Sequence, residues 1–258
     1  MDKIQVTRYT DHIYNMKEIG QQDPAKPTFG YVDAWLYVGS ERAALVDTLD
    51  NAPGLYEEVR KITALPVDVF LTHGHGDHAG VALQEFAEAG CRIYMDFKDN
   101  EILPEYVERE WLTPLLEGQI FSLGDRKLEV LSCPGHTQGS VAFLDREQEL
   151  LFSGDTIGSG NIWLQLPYSE PLAVCGENFR KVKEQIASLK DLQIFPGHIY
   201  QAVKLPMGQS YLDDLIHCVE GVLSGEISGT SQKMDFHGSS IAYGLAGFGQ
   251  MEGMWYQS

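Results

Sequence analysis

The sequence predicts an α/β fold in which two β-sheets pack face to face and helices cover their outer faces. In each half of the chain, short apolar runs with strand composition lead into an amphipathic helix. No Pro/Ser-rich or low-complexity stretch separates the two halves. We therefore expect one domain over residues 1–258, because α/β folds of this length are often single domains.

The first half contains three predicted strands and two predicted helices. The strands lie at 31–39, 42–48 and 66–72, and the helices at about 55–62 and 79–90. The third strand runs directly into the segment HGHGDH. Residues 97–116 contain two prolines and are expected to be helical or irregular.

The second half repeats the order of strands followed by a helix. Strands are predicted at 127–133, 140–146, 149–154 and 192–195, and helices at about 177–190 and 208–224. The remaining tail is rich in glycine, which favours short strands and tight turns. We expect the segment 208–258 to form a C-terminal helix with glycine-rich strands packed on the body of the domain.

The charge and cysteine content limit the function classes. The chain has 19 basic and 37 acidic residues, a net charge of −18, so its surface repels nucleic acid and anionic membranes. We expect a small-molecule substrate and neither a nucleic-acid nor a membrane partner; the oligomeric state is left open. The four scattered cysteines are expected to be buried thiols. The N-terminus has no apolar targeting segment, which predicts a cytoplasmic protein.

Five of the eight histidines follow predicted strands in glycine-containing loops, where the loops of α/β sheets converge to build sites. They are His73, His75, His78, His136 and His198. His73 and His75 are two residues apart in an extended loop, so both can bind one ion. Asp77 and His78 are adjacent and can face a second position.

Two further loops can complete these positions. His136 can supply a third nitrogen to the first ion, and three histidines with an open position are typical of a catalytic site. His198 is available to the second ion, and Asp155 is placed to bridge the two. Taken singly, Asp77 could be a helix N-cap, and His136 and His198 could be core residues. The joint set of residue types favours metal binding.

The order H-x-H-x-D-H, then His, Asp and His, resembles the metallo-β-lactamase superfamily over about residues 31–200. Its first motif, an aspartate at a strand end, is similar to Asp47 in LVDT. The resemblance implies a four-layer αββα sandwich with the metals in a groove at one edge of the sheets. It also implies a ligand set for each metal: His73, His75 and His136 for the first, Asp77, His78 and His198 for the second, with Asp155 bridging.

This constellation predicts a binuclear metal-dependent hydrolase that attacks a thioester, lactone, ester or amide with a metal-bridging hydroxide. Zinc is the expected metal, with iron or manganese as alternatives. Asp77 is the expected catalytic residue, which orients the nucleophile and carries a proton. Asp47 is expected to orient the metal-binding loop from behind the ligands, or merely to close a turn. Candidate substrate-pocket residues are Tyr168, Tyr200 and His237, with structural packing as the alternative for each.

Two other functions are compatible with the sequence. The chain resembles persulfide dioxygenases on the same scaffold, in which His73, His136 and Asp155 would hold one iron. It could also be a non-catalytic binding protein, although such a protein has no need for seven ligands. Lys204 and Lys233 are isolated, so the sequence lacks a basic cluster for a glutathione carboxylate.

Overall fold

A computed structural model describes residues 4–19, 32–158, 161–199, 207–236, 239–248 and 251–257. Its largest sheet has seven strands in sequence order: β1 Ile4–Arg8, β2 Ile13–Glu18, β3 Asp33–Val38, β4 Ala43–Val46, β5 Val67–Phe70, β6 Arg92–Met95 and β7 Leu112–Pro114. The first four strands are antiparallel, whereas β4 to β7 are parallel. Helices α1 (Leu55–Ile62) and α2 (Leu83–Glu88) connect the parallel strands.

The second sheet has five strands in the order β13-β11-β10-β9-β8. Their bounds are β8 Ile120–Ser122, β9 Lys127–Ser132, β10 Val141–Asp145, β11 Leu150–Gly154 and β13 Gln193–Pro196. Strands β11 and β13 are parallel, and β10 is antiparallel to both β9 and β11. The C-terminal ends of β9, β11 and β13 therefore lie at one edge of this sheet.

Three apolar layers hold the fold together. Aromatic residues of both sheets interdigitate between them, including Trp35, Phe70 and Phe152. The outer face of the first sheet packs against the apolar faces of α1 and α2. The outer face of the second packs against α3 (Leu172–Ile186) and α4 (Gln209–Ser224). This arrangement confirms the predicted αββα sandwich.

The chain also forms a third sheet that the sequence did not predict. Its four strands are β12 Asn161–Trp163, β14 Thr230–Phe236, β15 Ser239–Phe248 and β16 Met251–Gln257, in the order β12-β16-β15-β14. The tail strands are longer than the short strands expected from its glycines. Ala246 and Met254 pack into the same core as α3 and α4. This packing supports the single-domain organisation, which stays a proposal.

Other differences from the sequence prediction are local. Helix α3 begins at Leu172, five residues before the predicted start, because Pro171 fixes an extended backbone immediately before it. Residues 97–116 contain two short 3₁₀ turns and strand β7. Cys133, Cys175 and Cys218 are buried free thiols, whereas Cys91 is only partly buried. Within the described part of the chain, no helix has the length and apolar character needed to cross a membrane.

Candidate metal centre

Strand direction brings the predicted site residues to one edge of the sandwich. Asp47 follows β4, and the loop that contains His73 to His78 follows the parallel strand β5. From the second sheet, His136 follows β9, Asp155 follows β11 and His198 follows β13. All seven predicted ligands fall into three overlapping groups whose ligand atoms lie within 4.8 Å of one another in each group. This is the edge where loops of α/β sheets build sites.

The first cluster consists of His73, His75 and His136. The Nδ1 atom of His75 lies 3.1 Å from Nε2 of His73 and 2.9 Å from Nε2 of His136. Nitrogen ligands of a tetrahedral ion with bonds of about 2.0–2.1 Å lie about 3.3 Å apart. The spacing of these nitrogens is therefore close to that of ligands around one ion.

The second ring nitrogens of His136 and His73 form hydrogen bonds on the side of each ring that faces away from the cluster. Nδ1 of His136 lies 2.7 Å from the carbonyl oxygen of Trp163 on β12, to which it can only donate. Nδ1 of His73 lies 3.0 Å from the Thr72 hydroxyl, which itself donates to Asp47 at 2.8 Å. Because Nδ1 carries the proton in both rings, the Nε2 lone pair of each ring faces the cluster.

The second cluster contains His78, Asp155 and His198, with Asp77 beside it. Nε2 of His78 lies 3.3 Å from Oδ1 of Asp155, and Nε2 of His198 lies 3.2 Å from Oδ2. Oδ2 of Asp155 is also 3.7 Å from Nε2 of His136 in the first cluster. Asp155 therefore lies between the clusters, as the bridging assignment requires. Oδ2 of Asp77 is 3.5 Å from Nε2 of His198 and 3.8 Å from that of His78.

Two buried atoms of the second cluster test whether a cation fits there. Nε2 of His78 and Oδ1 of Asp155 lie 3.3 Å apart, but neither atom forms a hydrogen bond of acceptable geometry with any of the described residues. Burial of an unpaired polar atom is costly, so such atoms normally have a partner. Nδ1 of His78 lies 2.8 Å from Asp47 and can donate to it, so that in the neutral imidazole the Nε2 lone pair faces the cluster. Both atoms are electron-pair donors, and a cation satisfies both.

The charges of the two clusters differ. Burial, together with His136, lowers the pKa of His75 to about 3, and burial, together with His78, lowers the pKa of His73 well below its usual range. Burial also disfavours a charged His78, but Asp155 and the other carboxylates hold its pKa well above the usual value. His73 and His75 are therefore neutral imidazoles, the form that binds metal ions.

Asp47 contacts the residues at the start and at the end of the histidine loop, Thr72 and His78. Its carboxylate accepts hydrogen bonds from the Thr72 amide and hydroxyl, and its Oδ2 lies 2.8 Å from Nδ1 of His78. Its backbone has a φ of 63°, which aspartate tolerates better than most residues. This geometry supports the orienting role predicted from LVDT.

The predicted pocket residues have different outcomes. Tyr168 is 52% exposed, and its carbonyl oxygen accepts a 3.0 Å hydrogen bond from the amide of Gln138, two residues after His136. Its backbone therefore lies next to the loop that contains His136, and contact of its side chain with substrate stays a prediction. Tyr200 and His237 lie outside the described residues.

Sequence reasoning missed Asp33, which is fully buried beside the second cluster. Its amide donates to the Gly197 carbonyl at 2.7 Å, and its carboxylate accepts from the Ile199 amide at 2.6 Å. Asp33 therefore holds the residues on both sides of His198. No sequence signal identifies it, because it is a strand residue 165 positions from that histidine.

Residues 27–198 match the metallo-beta-lactamase superfamily. The chain belongs to this superfamily. An acyl-coenzyme A thioesterase of Gallus gallus, MBLAC2, is 33% identical over 169 residues, covering 52% of this chain and 61% of that protein. A hydroxyacylglutathione hydrolase of Haemophilus influenzae, GloC, is 32% identical over 136 residues, covering 47% and 64% respectively. The chain thus spans less than two thirds of the length of either relative.

Solved structures agree with the superfamily fold. A metallo-beta-lactamase from Pontibacter korlensis superposes with a TM-score of 0.64 at 18% identity, covering 84% of this chain and 99% of that one. At this identity the likeness shows the fold alone. The matched region 27–198 ends before β14, so most of the third sheet lies outside the superfamily match.

Proposed function

We propose that this protein is a hydrolase of small-molecule carbonyl compounds that uses two divalent metal ions. The unpartnered donor atoms of His78 and Asp155 are the observation that carries the proposal. The first cluster would hold one ion through its three histidines. The second ion would be held by Asp77, His78 and His198, with Asp155 shared. Five imidazoles with carboxylates suit zinc, with iron and manganese as alternatives.

The ions and the protein have separate tasks in this proposal. When bound, two divalent ions lower the pKa of a water molecule and polarise a substrate carbonyl group. Asp77 is the ligand best placed to move protons, because its side chain is 42% exposed whereas that of Asp155 is 13% exposed. Its carboxylate can accept a proton from the attacking water and pass it to the leaving group.

Thioesters are the substrate class that we favour. One relative is named an acyl-coenzyme A thioesterase and the other a hydroxyacylglutathione hydrolase, and the matches cover only 61% and 64% of their lengths. Tyr168 is exposed and its backbone bonds to the loop of His136, so we propose that its ring offers an aromatic surface to an acyl group. Lactones are the nearest alternative, because the same attack on a carbonyl opens them.

Metal analysis of protein purified without added metal or chelator is the first test. We expect about two ions per chain, and we expect a chelator to abolish hydrolysis of a thioester panel and zinc to restore it. One iron per chain with oxygen uptake in the presence of a glutathione persulfide would instead support the dioxygenase alternative. A metal-loaded protein that hydrolyses neither thioesters nor lactones would contradict the proposal.

A substitution at Gly197 tests the second cluster without removing a ligand. A Cβ atom at this position would lie 2.5 Å from both Asp155 Oδ1 and the His78 ring. Gly197→Ala is therefore expected to displace both side chains and to destabilise the fold by about 1–3 kcal/mol. We expect metal titration to show a second ion weakened more than the first, because Asp155 is shared by the two ions whereas His78 serves the second alone.

Gly135→Ala is the matched control, since Gly135 occupies the same position in the other PGH segment. A Cβ atom there would meet only ordinary contacts of 3.5 Å. This variant should bind both ions normally. Equal metal binding by Gly197→Ala and Gly135→Ala would argue against a site between His78 and Asp155.

A further inference from the structure

Asp99 is a buried aspartate at the same edge of the first sheet as the metal centre. It ends a 3₁₀ turn, Phe97–Asp99, that follows β6, and the Asp96 side chain caps the start of this turn. Strand β6 is parallel to β5, so the turn lies beside the histidine loop. The side chain of Asp99 is only 1% exposed, and the residue is not one of the clustered ligands.

The Asp99 carboxylate accepts three hydrogen bonds from two different loops. Oδ2 accepts from the Gly74 amide at 2.9 Å and from the Thr137 hydroxyl at 2.6 Å. Oδ1 accepts from the Gly139 amide at 2.7 Å. Gly74 lies between the ligands His73 and His75, whereas Thr137 directly follows His136. One carboxylate thus joins the two loops that supply the first cluster.

The surrounding residues are arranged for this carboxylate. A Cβ atom on Gly139 would lie 2.6 Å from the Asp99 Cγ atom, and one on Gly74 would lie 2.9 Å from the Asp99 carbonyl oxygen. Only glycine allows this close approach at both positions. Because the Thr137 hydroxyl donates to Asp99, it is oriented to accept from the Ser140 hydroxyl, 2.8 Å away.

We infer that Asp99 is a positioning residue that fixes the first-cluster histidines of the two loops at the separation that one ion requires. The inference rests on the proposed metal-dependent function. All three partners of Asp99 are donors, so the site needs a group that only accepts hydrogen bonds. Bonds to an ionised carboxylate are stronger than bonds to a neutral amide. An asparagine would turn its NH₂ group toward at least one of these donors.

The test compares Asp99→Asn with Asp145→Asn in metal-free protein titrated with Co²⁺ and with Zn²⁺. Asp145 is a matched control: it is 1% exposed and accepts from the Tyr37 hydroxyl at 2.9 Å and from the amides of Glu147 and Gln148 at 3.0 Å. A chromophoric chelator measures Zn²⁺ affinity, and the visible spectrum of Co²⁺ reports its coordination. Thermal unfolding of the metal-free proteins measures the structural effect separately.

We expect Asp99→Asn to weaken the first ion about 10–100-fold and to change its Co²⁺ spectrum. Asp145→Asn should lower thermal stability while leaving affinity and spectrum unchanged. The His198→Ala protein, in which the first cluster is complete, provides the reference spectrum of the first ion. If wild-type protein binds no metal, the proposed function fails. If wild-type protein binds two ions and Asp99→Asn binds them identically, only the role of Asp99 is overturned.

Two variants of Thr137 keep the inference testable if Asp99→Asn does not fold. Thr137→Val removes the hydroxyl donor with little change in shape, whereas Thr137→Ser retains it. The residue is fully buried and bonds to Asp99 through this hydroxyl. We expect Thr137→Val to weaken the first ion and Thr137→Ser to restore its Co²⁺ spectrum. Equal affinity in the two variants would contradict the inference.

Discussion

Replacement of Asp77 by asparagine is expected to lower kcat for thioester hydrolysis about 10²–10⁴-fold, the usual effect of losing a general acid–base group. Asparagine retains an oxygen near Nε2 of His198, which Asp77 approaches to 3.5 Å, but it cannot carry a proton. We therefore expect Asp77→Asn to retain more metal than Asp77→Ala. Steady-state kinetics and metal analysis of both variants, each with an unchanged circular dichroism spectrum, measure these effects.

Asp50→Ala is the control for this experiment. Asp50 is exposed, and its pKa is raised first by partial desolvation of its carboxylate and then by the charge of Asp77, which lies nearby. Asp50 belongs to neither cluster. Loss of this neighbouring carboxylate should change kcat little. Full activity in Asp77→Asn, or an equal loss in Asp50→Ala, would contradict a specific proton-transfer role for Asp77.

The sandwich could be predicted because each of its layers has a local signal. Buried strands such as Ala43–Val46 are continuous apolar runs, and the helices present apolar residues at helical spacing. The third sheet has no comparable signal. Its first strand, Asn161–Trp163, has three residues and pairs with β16 some 90 residues later, a distance that no local pattern encodes.

The metal centre likewise contains residues that could be predicted from the sequence and residues that could not. The candidate ligands could be predicted because metal binding requires particular residue types, and H-x-H-x-D-H places four of the seven in one loop. The groups that orient the ligands by hydrogen bonds do not need to be of one particular residue type. His136 is oriented by a backbone carbonyl of β12, which any residue can supply. Asp33 and Asp99 are ordinary aspartates whose positions depend on how distant loops meet.

The pairing of β12 also suggests what the glycine-rich tail contributes. Trp163, whose carbonyl lies 2.7 Å from Nδ1 of His136, is paired in register with Trp255 of β16. The tail therefore supports the strand that fixes the orientation of a predicted ligand. This connection links a segment outside the superfamily match to the metal centre.

His136 is the residue whose loss should affect the first cluster most. It supplies one of three nitrogens there and lies 3.7 Å from the shared Asp155. His136→Ala is expected to remove the first ion and to lower kcat at least as much as Asp77→Asn, because the carbonyl group would no longer be polarised. Metal analysis should then give about one ion per chain.

A matched histidine separates loss of this ion from general damage. His12 is exposed and belongs to neither cluster, so His12→Ala should retain about two ions and full activity. Added imidazole can enter the cavity left by His136→Ala, and partial recovery of activity would show that the missing nitrogen was the cause. If His136→Ala retained about two ions and full turnover, the first cluster would not be a metal site. In that case the three converging nitrogens would require another explanation for their spacing.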